Sequence, residues 1–368
     1  MAFNVYFNAP NISLWYNKSM ENNELQISVG ENIRSIRTSE NLSQQELASL
    51  AGIERAQLSR IENGQVDVQL STISKIATNL NTTPDFLLKA GSLKMHPFVK
   101  WAGGKGQLLN KLICRLPKHF NNYFEPFIGG GALFFEVAPK KAVINDVNIE
   151  LLSVYKCFKS KTNYEELLKK LDYFSSIHSE DNYLKIRSMD RENDFNSLSV
   201  VEHAARMIYL NKADFNGLYR VNSKGFFNVP SGKKIKVNCY DLNNMRNIFN
   251  YFQKSDIQVL NGDFVEAVKD AKAGDFVYFD PPYDSFENKN NFTSYSKDCF
   301  DKNDQKRLAN LAKKLDSMGV FVMLSNHNTP FINEIYKGFN IEVVNAKRMI
   351  DSKVSGRSGV EEVIITNY

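Results

Sequence analysis

The spacing of apolar residues changes at about residue 92 and divides the chain into two parts. Between residues 25 and 91, apolar side chains recur every three or four positions, which is the spacing of one helix face. The recurring positions are Ile33 and Ile36, Leu47 and Leu50, Leu58 and Ile61, and Ile73, Ile76 and Leu80. This pattern predicts five short helices in a small all-α domain at residues 25–92.

Local signals indicate where these helices begin and end. Ser43 and Glu46 have the spacing of a capping box, in which each side chain bonds the other residue's backbone N–H. Gly64 is suited to ending a helix over 54–63. Thr83-Pro84 combines a cap with proline at the first helical position.

After residue 92, short β-rich runs alternate with helical segments. The predicted strands are Tyr123–Glu125, Ala142–Asp146, Ile257–Leu260, Asp275–Asp280 and Val320–Ser325. Such alternation is typical of an α/β domain with a largely parallel sheet. We predict an α/β core formed by residues 93–150 and 253–368, with a mainly helical insertion at 151–252. Residues 1–24 show no sustained period and are treated as an N-terminal arm.

The distribution of charge says more than the net charge. The chain has 46 Lys and Arg against 41 Asp and Glu, a formal net charge of +5 that allows a nucleic-acid partner without requiring one. Between residues 204 and 240 only Asp214 opposes seven basic residues. These are Arg206, Lys212, Arg220, Lys224, Lys233, Lys234 and Lys236. This segment is a candidate nucleic-acid surface, with an ordinary solvated surface as the alternative.

Cysteine usage and hydropathy narrow the class of protein. The four cysteines, at 114, 157, 239 and 299, are far apart and do not cluster with the five histidines. Structural disulfides and a bound metal are therefore not expected. No stretch reaches about 18 uninterrupted apolar residues, and the first 24 residues lack the pattern of a secretory signal. We expect a cytoplasmic protein with no membrane partner.

A Gly-rich turn follows the first predicted strand of the α/β core. Glu125-Pro126-Phe127 leads into Gly129 and Gly131 and then into a helical segment. A strand, a tight turn and a helix in this order can bind a nucleoside ligand at the strand's carboxyl end. Such a turn also occurs for packing reasons alone.

Further residues strengthen the prediction of a nucleoside site. Asp146, about 20 residues downstream, has the spacing of a ribose ligand, with a helix cap as the alternative. Asp263 and Phe264 follow a strand, where the carboxylate can accept from an adenine amine and the ring can stack on it, with a solvent-exposed turn as the alternative. Upstream, a Gly-rich segment combines an aromatic ring with a cation and predicts a clamp on a charged aromatic ligand. Its residues are Trp101, Ala102, Gly103 and Lys105.

Asp280-Pro281-Pro282-Tyr283 follows a buried strand and can bind a flat base that carries an amine. The lone pair of such an amine is delocalised into the ring, which makes the nitrogen a poor nucleophile. Asp280 and the Pro281 carbonyl can each accept one N–H and turn the lone pair toward a sulfonium methyl. Pro282 then fixes the backbone, Tyr283 stacks on the ring, and a duplex target must be flipped out. A plain proline turn would leave the Asp and Tyr unexplained.

With these motifs in place, residues 96–368 closely resemble the Dam-type (D12 class) DNA adenine-N6 methyltransferases. The resemblance also covers Phe215–Arg220, Phe227–Pro230, Phe292–Tyr295 and Ser325–His327. It implies a Rossmann-like core, S-adenosylmethionine as methyl donor and double-stranded DNA as substrate. It implies cofactor contacts from Trp101, Lys105, Phe127, Asp146 and Asp280. It further implies that Lys100, Asn216, Leu218, Arg220 and Pro230 face DNA.

Charge and local sequence refine the DNA prediction. Arg220 suits a bidentate guanine contact, whereas Lys212, Lys224 and Lys236 are better placed near phosphates. After Phe227–Pro230 this chain has Ser231-Gly232-Lys233-Lys234, where relatives that recognise GATC commonly have an Arg-Tyr pair. GATC remains the expected target because the 215–220 motif is retained.

Residues 28–90 separately resemble the helix-turn-helix domains of phage repressors. Ser43–Ala51 would be the supporting helix and Glu54–Asn63 the recognition helix. The residues expected to face the groove are Gln44, Arg55, Gln57, Ser59 and Arg60. Six basic residues oppose seven acidic ones between residues 25 and 92, so DNA binding would depend on Arg55 and Arg60. A protein-interaction domain is the alternative.

The sequence thus predicts an enzyme that methylates N6 of adenine in duplex DNA and carries a second DNA-reading module. That module would bind operator DNA of its own operon or of a cognate restriction endonuclease. Two alternatives stay open. The same grip suits N4 of cytosine or a base in RNA, and the α/β part could serve a transcription regulator only as a cofactor sensor.

Overall fold

The computed structural model describes residues 25–88 without 35, 39, 41 and 81, residues 95–284 without 106 and 107, and residues 300–346 and 360–368. The chain forms two compact units, Met1–Leu93 and Lys94–Tyr368. The predictions for the arm at 1–24 and for Phe292–Tyr295 concern residues outside the described ones. No helix within these ranges is long and apolar enough to cross a membrane.

The first unit is all-α, as the apolar spacing predicts. Helix α1 comprises residues 25–34 and 36–38, and it is followed by α2 (Gln44–Ala51), α3 (Arg55–Glu62), α4 (Leu70–Asn79) and α5 (Pro84–Leu88). The capping box is present, because Ser43 bonds the Glu46 N–H and Glu46 bonds the Ser43 N–H. The φ of +65° at Gly64 explains the glycine after α3.

The core of this unit also contains a polar network. Leu47 and Leu58 are fully buried, as their spacing predicts. Glu62, on the last turn of α3, is buried and accepts hydrogen bonds from Arg37 at 2.6 and 3.1 Å. The Gln44 amide donates to the same carboxylate at 2.8 Å, so this group points into the unit, although the sequence analysis assigns it to the DNA groove.

The second unit contains a seven-stranded sheet in the order β3-β2-β1-β4-β5-β7-β6. Its strands are β1 (Tyr123–Glu125), β2 (Lys141–Asp146), β3 (Asp256–Asn261), β4 (Phe276–Phe279), β5 (Phe321–His327), β6 (Asn340–Ala346) and β7 (Val360–Thr366). Strands β1 to β5 are parallel, which confirms the predicted α/β fold with a largely parallel sheet. The antiparallel strands β6 and β7 were not predicted.

Side-chain alternation along the central strands fills two cores. Tyr123 and Tyr278 point to one face, and Phe124, Val277 and Phe279 point to the other. Successive residues of a strand face opposite sides of the sheet, and both sides here are covered by helices. The helices of this unit are α6 (Leu109–Ile113), α7 (Ala132–Val137), α8 (Ile149–Cys157), α9 (Lys161–Ser176), α10 (Glu180–Ser188), α11 (Val200–Ala213), α12 (Leu242–Lys254), α13 (Phe264–Ala267), α14 (Lys302–Ser317) and α15 (Pro330–Ile335).

The structure corrects one part of the charge analysis. Arg206 was counted in the candidate nucleic-acid surface, but it is fully buried on α11. Its guanidinium bonds Glu150 Oε2 at 2.5 Å and Asp190 Oδ2 at 3.0 Å. Helix α11 packs against α8 and α9. Arg206 therefore links α11 to Glu150 on α8 and to Asp190 inside the core. The positive surface therefore rests on the remaining basic residues of the 204–240 segment.

Candidate active site

The strand order places the candidate site between β1 and β4. From β1 the chain proceeds outward through β2 and β3, and it then returns to build β4 and β5 on the opposite side. Ligands of open α/β sheets bind at the carboxyl ends of the strands where this order reverses. The Gly-rich turn follows β1 and Asp280 follows β4, so topology brings both predicted motifs to one crevice.

Two glycines allow the turn after β1 to pass close to its neighbours. Gly129 has a φ of +47°, and a Cβ there would lie 2.7 Å from Cδ1 of Trp101. Gly131 has a φ of +73°, and a Cβ there would lie 2.6 Å from the Tyr155 hydroxyl. That hydroxyl donates to the Gly129 carbonyl at 2.9 Å. The turn therefore requires glycine for both conformation and space.

Asp146 lies at the carboxyl end of β2 and supports the same turn. Its Oδ2 accepts the Gly129 N–H at 3.0 Å, and its Oδ1 accepts the Asn148 N–H at 2.9 Å. The cap of α8 is Asn148, which bonds the Leu151 N–H, so the alternative of Asp146 as helix cap is wrong. Burial raises the pKa of Asp146, and the backbone N–H groups oppose that rise.

Glu125 ends β1 as a buried carboxyl group beside the turn. It accepts a hydrogen bond from the Tyr123 hydroxyl at 2.6 Å. Burial raises the pKa of Glu125 well above its usual range, the Asp280 carboxylate raises it further, and Lys105 lowers it. The carboxyl ends of β1, β2 and β4 thus bring three acidic groups to one edge of the sheet.

Asp280 is held by a cation and a hydroxyl. Its Oδ1 lies 2.7 Å from Lys105 Nζ and accepts from Ser325 Oγ at 2.9 Å. Lys105 also donates to the Gly103 carbonyl at 2.6 Å, which closes the Gly-rich segment onto Asp280. Burial raises the pKa of Asp280, and the ion pair with Lys105 opposes this effect. Both of these contacts are made by Oδ1.

Tyr283 is held by Glu362, which the sequence pattern did not indicate, together with His327 and Lys105. Its hydroxyl donates to Glu362 Oε2 at 3.1 Å, and its ring centroid lies 4.9 Å from that of His327 in an edge arrangement. Lys105 Nζ lies 4.7 Å from the same ring centroid. Glu362 is on β7, the strand that the sequence pattern missed. Its contribution could not be foreseen without the pairing of β7 with β5.

The predicted adenine contacts lie next to one another but already have protein partners. Asp263 caps α13 through the Val265 N–H and forms a 2.9 Å ion pair with Arg307. Phe264 is buried, with its ring centroid 5.4 Å from that of Phe127. Asp263 therefore serves as a helix cap, and the buried Phe264 does not fit the alternative of a solvent-exposed turn. The aromatic pair of Phe127 and Phe264 lies beside the end of β1.

Comparison with known proteins agrees with this arrangement. The family model of D12 class N6 adenine-specific DNA methyltransferases matches residues 101–350, more than half of the chain. The chain belongs to this family. A helix-turn-helix family model matches residues 33–87, which agrees with the resemblance of the first unit.

Named relatives of this family cover most of the chain. A type II methyltransferase, M1.LlaDCHI of Lactococcus lactis subsp. cremoris, is 47% identical over 77% of this chain and 99% of its own length. The type II methyltransferase M.MjaIII of Methanocaldococcus jannaschii is 40% identical over 75% of this chain and 100% of its own. A DNA adenine methylase of Haemophilus influenzae is 32% identical over 74% and 93%, respectively.

In this DNA methyltransferase, one side chain joins the Lys100 segment to the 215–220 motif. The buried Asn211 amide accepts the Lys100 N–H at 2.8 Å and donates to the Lys100 carbonyl at 2.8 Å. It also donates to the Gly217 carbonyl at 3.0 Å. A Cβ at Gly217 would lie 2.5 Å from Lys100 Cδ, so the lysine stem packs on this glycine. Trp101 stacks on Tyr219 with ring centroids 5.3 Å apart.

The residues predicted to face DNA line a turn and a short hairpin. Asn216 has a φ of +64° at the turn. Arg220 is exposed, and its Nε donates to Asn228 Oδ1 at 2.8 Å. Val221 and Phe227 form an antiparallel bridge, and Pro230 accepts the Phe215 N–H at 3.1 Å. Lys224 lies at the exposed tip of this hairpin. The predicted residue Pro230 belongs to these paired segments, whereas Leu218 is half-buried between the turn and Arg220.

Asp214 is a buried carboxyl group at the base of this turn. Its Oδ1 accepts the Gly217 N–H at 2.7 Å, whereas Oδ2 is buried and has no hydrogen-bond partner among the residues that the structure describes. Burial raises the pKa of Asp214 to about 8. An unfolded aspartate titrates near pH 3.9, at about its reference value. The folded chain therefore retains a proton that the unfolded chain releases, so its stability falls between about pH 4 and about pH 8.

Asp214→Asn is expected to remove this pH dependence, because the amide cannot ionise but can still accept the Gly217 N–H. The gain in Tm over the unmodified protein should be small near pH 4.5 and several °C at pH 8, since each kcal/mol shifts Tm by about 2–4 °C. Thermal unfolding followed by circular dichroism at both pH values checks this. An equal gain in Tm at the two pH values would contradict the raised pKa of Asp214.

In the helix-turn-helix unit, the predicted groove residues on α3 differ in their exposure to solvent. Arg55, Gln57 and Arg60 are exposed, and Ser59 is half-buried. Leu58 and Ile61 form the buried face of the same helix. Apart from Gln44, these predicted groove residues therefore share one helix whose other face packs in the core.

Proposed function

We propose that this enzyme transfers a methyl group from S-adenosylmethionine to N6 of an adenine flipped out of duplex DNA, with GATC as its target. The observation that carries this proposal is the meeting of the Asp280–Tyr283 segment with the Gly129–Gly131 turn at the carboxyl ends of β4 and β1. The family match supports adenine in DNA as the methylated base.

The residues at this edge fit the chemistry of the cofactor. S-adenosylmethionine, when bound, supplies an electrophilic methyl group on a positively charged sulfur. The Asp280 carboxylate favours a cation, and Asp146 at the end of β2 is placed to accept ribose hydroxyls. Glu125, whose pKa burial raises well above its usual range, supplies a buried hydrogen-bonding carboxyl group beside them. Because Gly129 has no side chain, the turn can lie directly against Trp101. The residues that we assign to cofactor binding are Trp101, Ala102, Gly103, Lys105, Glu125, Pro126, Phe127, Gly129, Gly131, Asp146, Asp263, Phe264 and Asp280.

The catalytic assignment concerns Asp280, Pro281, Pro282 and Tyr283. Asp280 and the Pro281 carbonyl each accept one N–H of the target amine, which pulls the nitrogen toward pyramidal geometry and localises its lone pair for attack. Burial raises the pKa of Asp280, and the ion pair with Lys105 opposes this rise and so favours the charged form, which accepts best. Tyr283, fixed by Glu362 and His327, supports the face of the extruded base.

We assign residues 151–252 to target recognition, within a catalytic domain formed by 93–150 and 253–368. Lys100, Asn216, Leu218, Arg220 and Pro230 would contact DNA. Asn211 supports this assignment because it ties the Lys100 backbone to the turn after Asp214. Arg220 would read guanine, and the exposed lysines of the hairpin and the 233–236 segment would neutralise phosphates.

Single-molecule sequencing of DNA from cells that express the chain tests this function. We expect N6-methyladenine at a short duplex site, with GATC as the sequence. N4-methylcytosine would favour the alternative of a cytosine enzyme, and another adenine site would contradict GATC only. Operator binding without any methylation would favour a transcription regulator that senses the cofactor.

We further propose that residues 25–92 bind operator DNA and regulate the operon of a restriction-modification system. The exposed face of α3 with Arg55 and Arg60 supports DNA binding, and the name of the Lactococcus lactis relative, a type II methyltransferase, supports a partner endonuclease.

Replacing Arg55 and Arg60 together with alanine is expected to weaken binding to the DNA upstream of the gene by at least about 10-fold, because each base contact contributes about 1–3 kcal/mol. Methylation of a separate duplex should stay unchanged. Lys75→Ala, which removes an exposed charge from α4, is the control. Equal binding by the double variant and the control in a gel-shift assay would refute the assignment of α3.

A further inference from the structure

A buried pair of amide side chains lies behind the Asp280–Tyr283 segment. Gln305, in the first part of α14, is 2% exposed, and Asn326 on β5 is fully buried. Gln305 Nε2 donates to the Pro282 carbonyl at 2.8 Å. Asn326 Nδ2 donates in turn to Gln305 Oε1 at 3.2 Å. Because a buried amide is costly unless its groups are paired, this chain of bonds favours one orientation of both side chains.

The same pair also holds the residue that follows Tyr283. Asn326 Oδ1 accepts the Asp284 N–H at 2.9 Å and the His327 N–H at 2.9 Å. Thr329 Oγ1 donates to Asp284 Oδ2 at 2.6 Å. Two hydrogen-bonded points, the Pro282 carbonyl and the Asp284 N–H, therefore fix the backbone on both sides of Tyr283.

Because Pro281 and Pro282 are consecutive prolines, a hydrogen bond to the Pro282 carbonyl restricts the backbone of both residues. Neither Pro281 nor Pro282 has an N–H, so the backbone of this stretch can be held only through its carbonyls. The two carbonyl directions differ by the φ and ψ of Pro282, and the ring fixes φ. Once Gln305 sets the direction of the Pro282 carbonyl, ψ of Pro282 is the one torsion left that can change the direction of the Pro281 carbonyl relative to it.

Helix α14 also contacts the aromatic residues assigned to the cofactor. Arg307, two positions after Gln305, forms an ion pair with Asp263, and its guanidinium lies 5.0 Å from the Phe264 ring centroid. Phe300, which precedes the helix, lies 5.7 Å from Phe127, centroid to centroid. The start of α14 thus touches the assigned cofactor residues and the catalytic segment together.

We propose that Gln305, oriented by Asn326, is a positioning residue for methyl transfer. It aims the Pro281 carbonyl at the target amine by holding the carbonyl of the next residue. This inference rests on the proposed function, because it gives the Pro281 carbonyl the role of amine acceptor. Ser325–His327 belongs to the family resemblance without an assigned role, and Asn326 acquires one here.

The test compares the rate of methyl transfer with binding in the full chain. Gln305→Leu removes the donor, and we expect the single-turnover rate with a labelled donor and a target duplex to fall by about 10–100-fold, since small misplacements of reacting groups have effects of this size. Kd values for S-adenosylhomocysteine and for the duplex should change by less than about threefold. Asn310→Leu, an exposed substitution on the same helix, is the control.

A second variant covers the case in which Gln305→Leu fails to fold. Gln305→Met keeps the length of the side chain but has no donor for the Pro282 carbonyl, so a similar loss of rate is expected. An unchanged rate in a folded variant would overturn the proposal, as would weaker binding with a normal rate at saturation. Either result leaves the proposed function intact if Asp280→Ala is inactive. An inactive unmodified chain would refute both.

Discussion

Asp280→Ala should lower the single-turnover rate of methyl transfer by roughly 10²–10³-fold, the range for removing one preorganised hydrogen-bond partner of a transition state. The substitution removes the carboxylate that accepts from Ser325 and pairs with Lys105. Without it, one N–H of the amine loses its acceptor and the lone pair stays delocalised in the ring. Rapid-quench measurement with a labelled donor and saturating duplex gives this rate.

The matched control for this substitution is Asp256→Ala. Asp256 is an exposed carboxylate at the amino end of β3, away from the edge that carries the site. Its replacement should leave the rate within about twofold, since exposed side chains without special contacts have small effects. Equal rates for both variants would remove Asp280 from the catalytic assignment. Circular dichroism of each variant establishes that the fold is retained.

The second large effect concerns stability. Arg206→Met should destabilise the α/β unit by about 3–5 kcal/mol, because it leaves the Glu150 carboxyl group buried without its cation and Asp190 with Arg191 as its remaining one. The lost contacts include hydrogen bonds from Arg206 to the Ile186 and Arg187 carbonyls. At about 2–4 °C per kcal/mol, the Tm of this unit should fall by roughly 10 °C.

An exposed ion pair supplies the control for Arg206. Lys161 lies 3.8 Å from Glu165 across one helix turn, and both side chains are more than half exposed. Lys161→Met should change the Tm by only about 1–2 °C, as expected for surface pairs. A small change for Arg206→Met as well would mean that the buried network contributes no more than a surface pair.

The sequence predicts those features that depend on neighbouring residues. Ser43 and Glu46 form the expected capping box, since both partners lie within one helical turn. The strand Tyr123–Glu125 is found with the predicted bounds, because a buried parallel strand is a continuous apolar run between turn signals. The place of Asp280 follows from the same rule, which puts polar side chains at the carboxyl ends of parallel strands.

Features that depend on distant partners could not be predicted. The surface role expected for Arg206 was wrong because its partner Glu150 lies 56 positions earlier in the chain. The antiparallel strands β6 and β7 are joined through residues outside the described ones, and β7 inserts between β5 and β6. The bond from Tyr283 to Glu362, 79 positions later, arises only from that pairing.

The central claim is that Asp280 and the Pro281 carbonyl prepare an adenine amine for methylation. The most direct test incubates the purified chain with labelled S-adenosylmethionine and a duplex that contains GATC, and then digests the DNA to nucleosides. We predict label in N6-methyladenine, and its loss on Asp280→Ala but not on Asp256→Ala. Label in N4-methylcytosine, or undiminished labelling by the Asp280→Ala protein, would contradict the account.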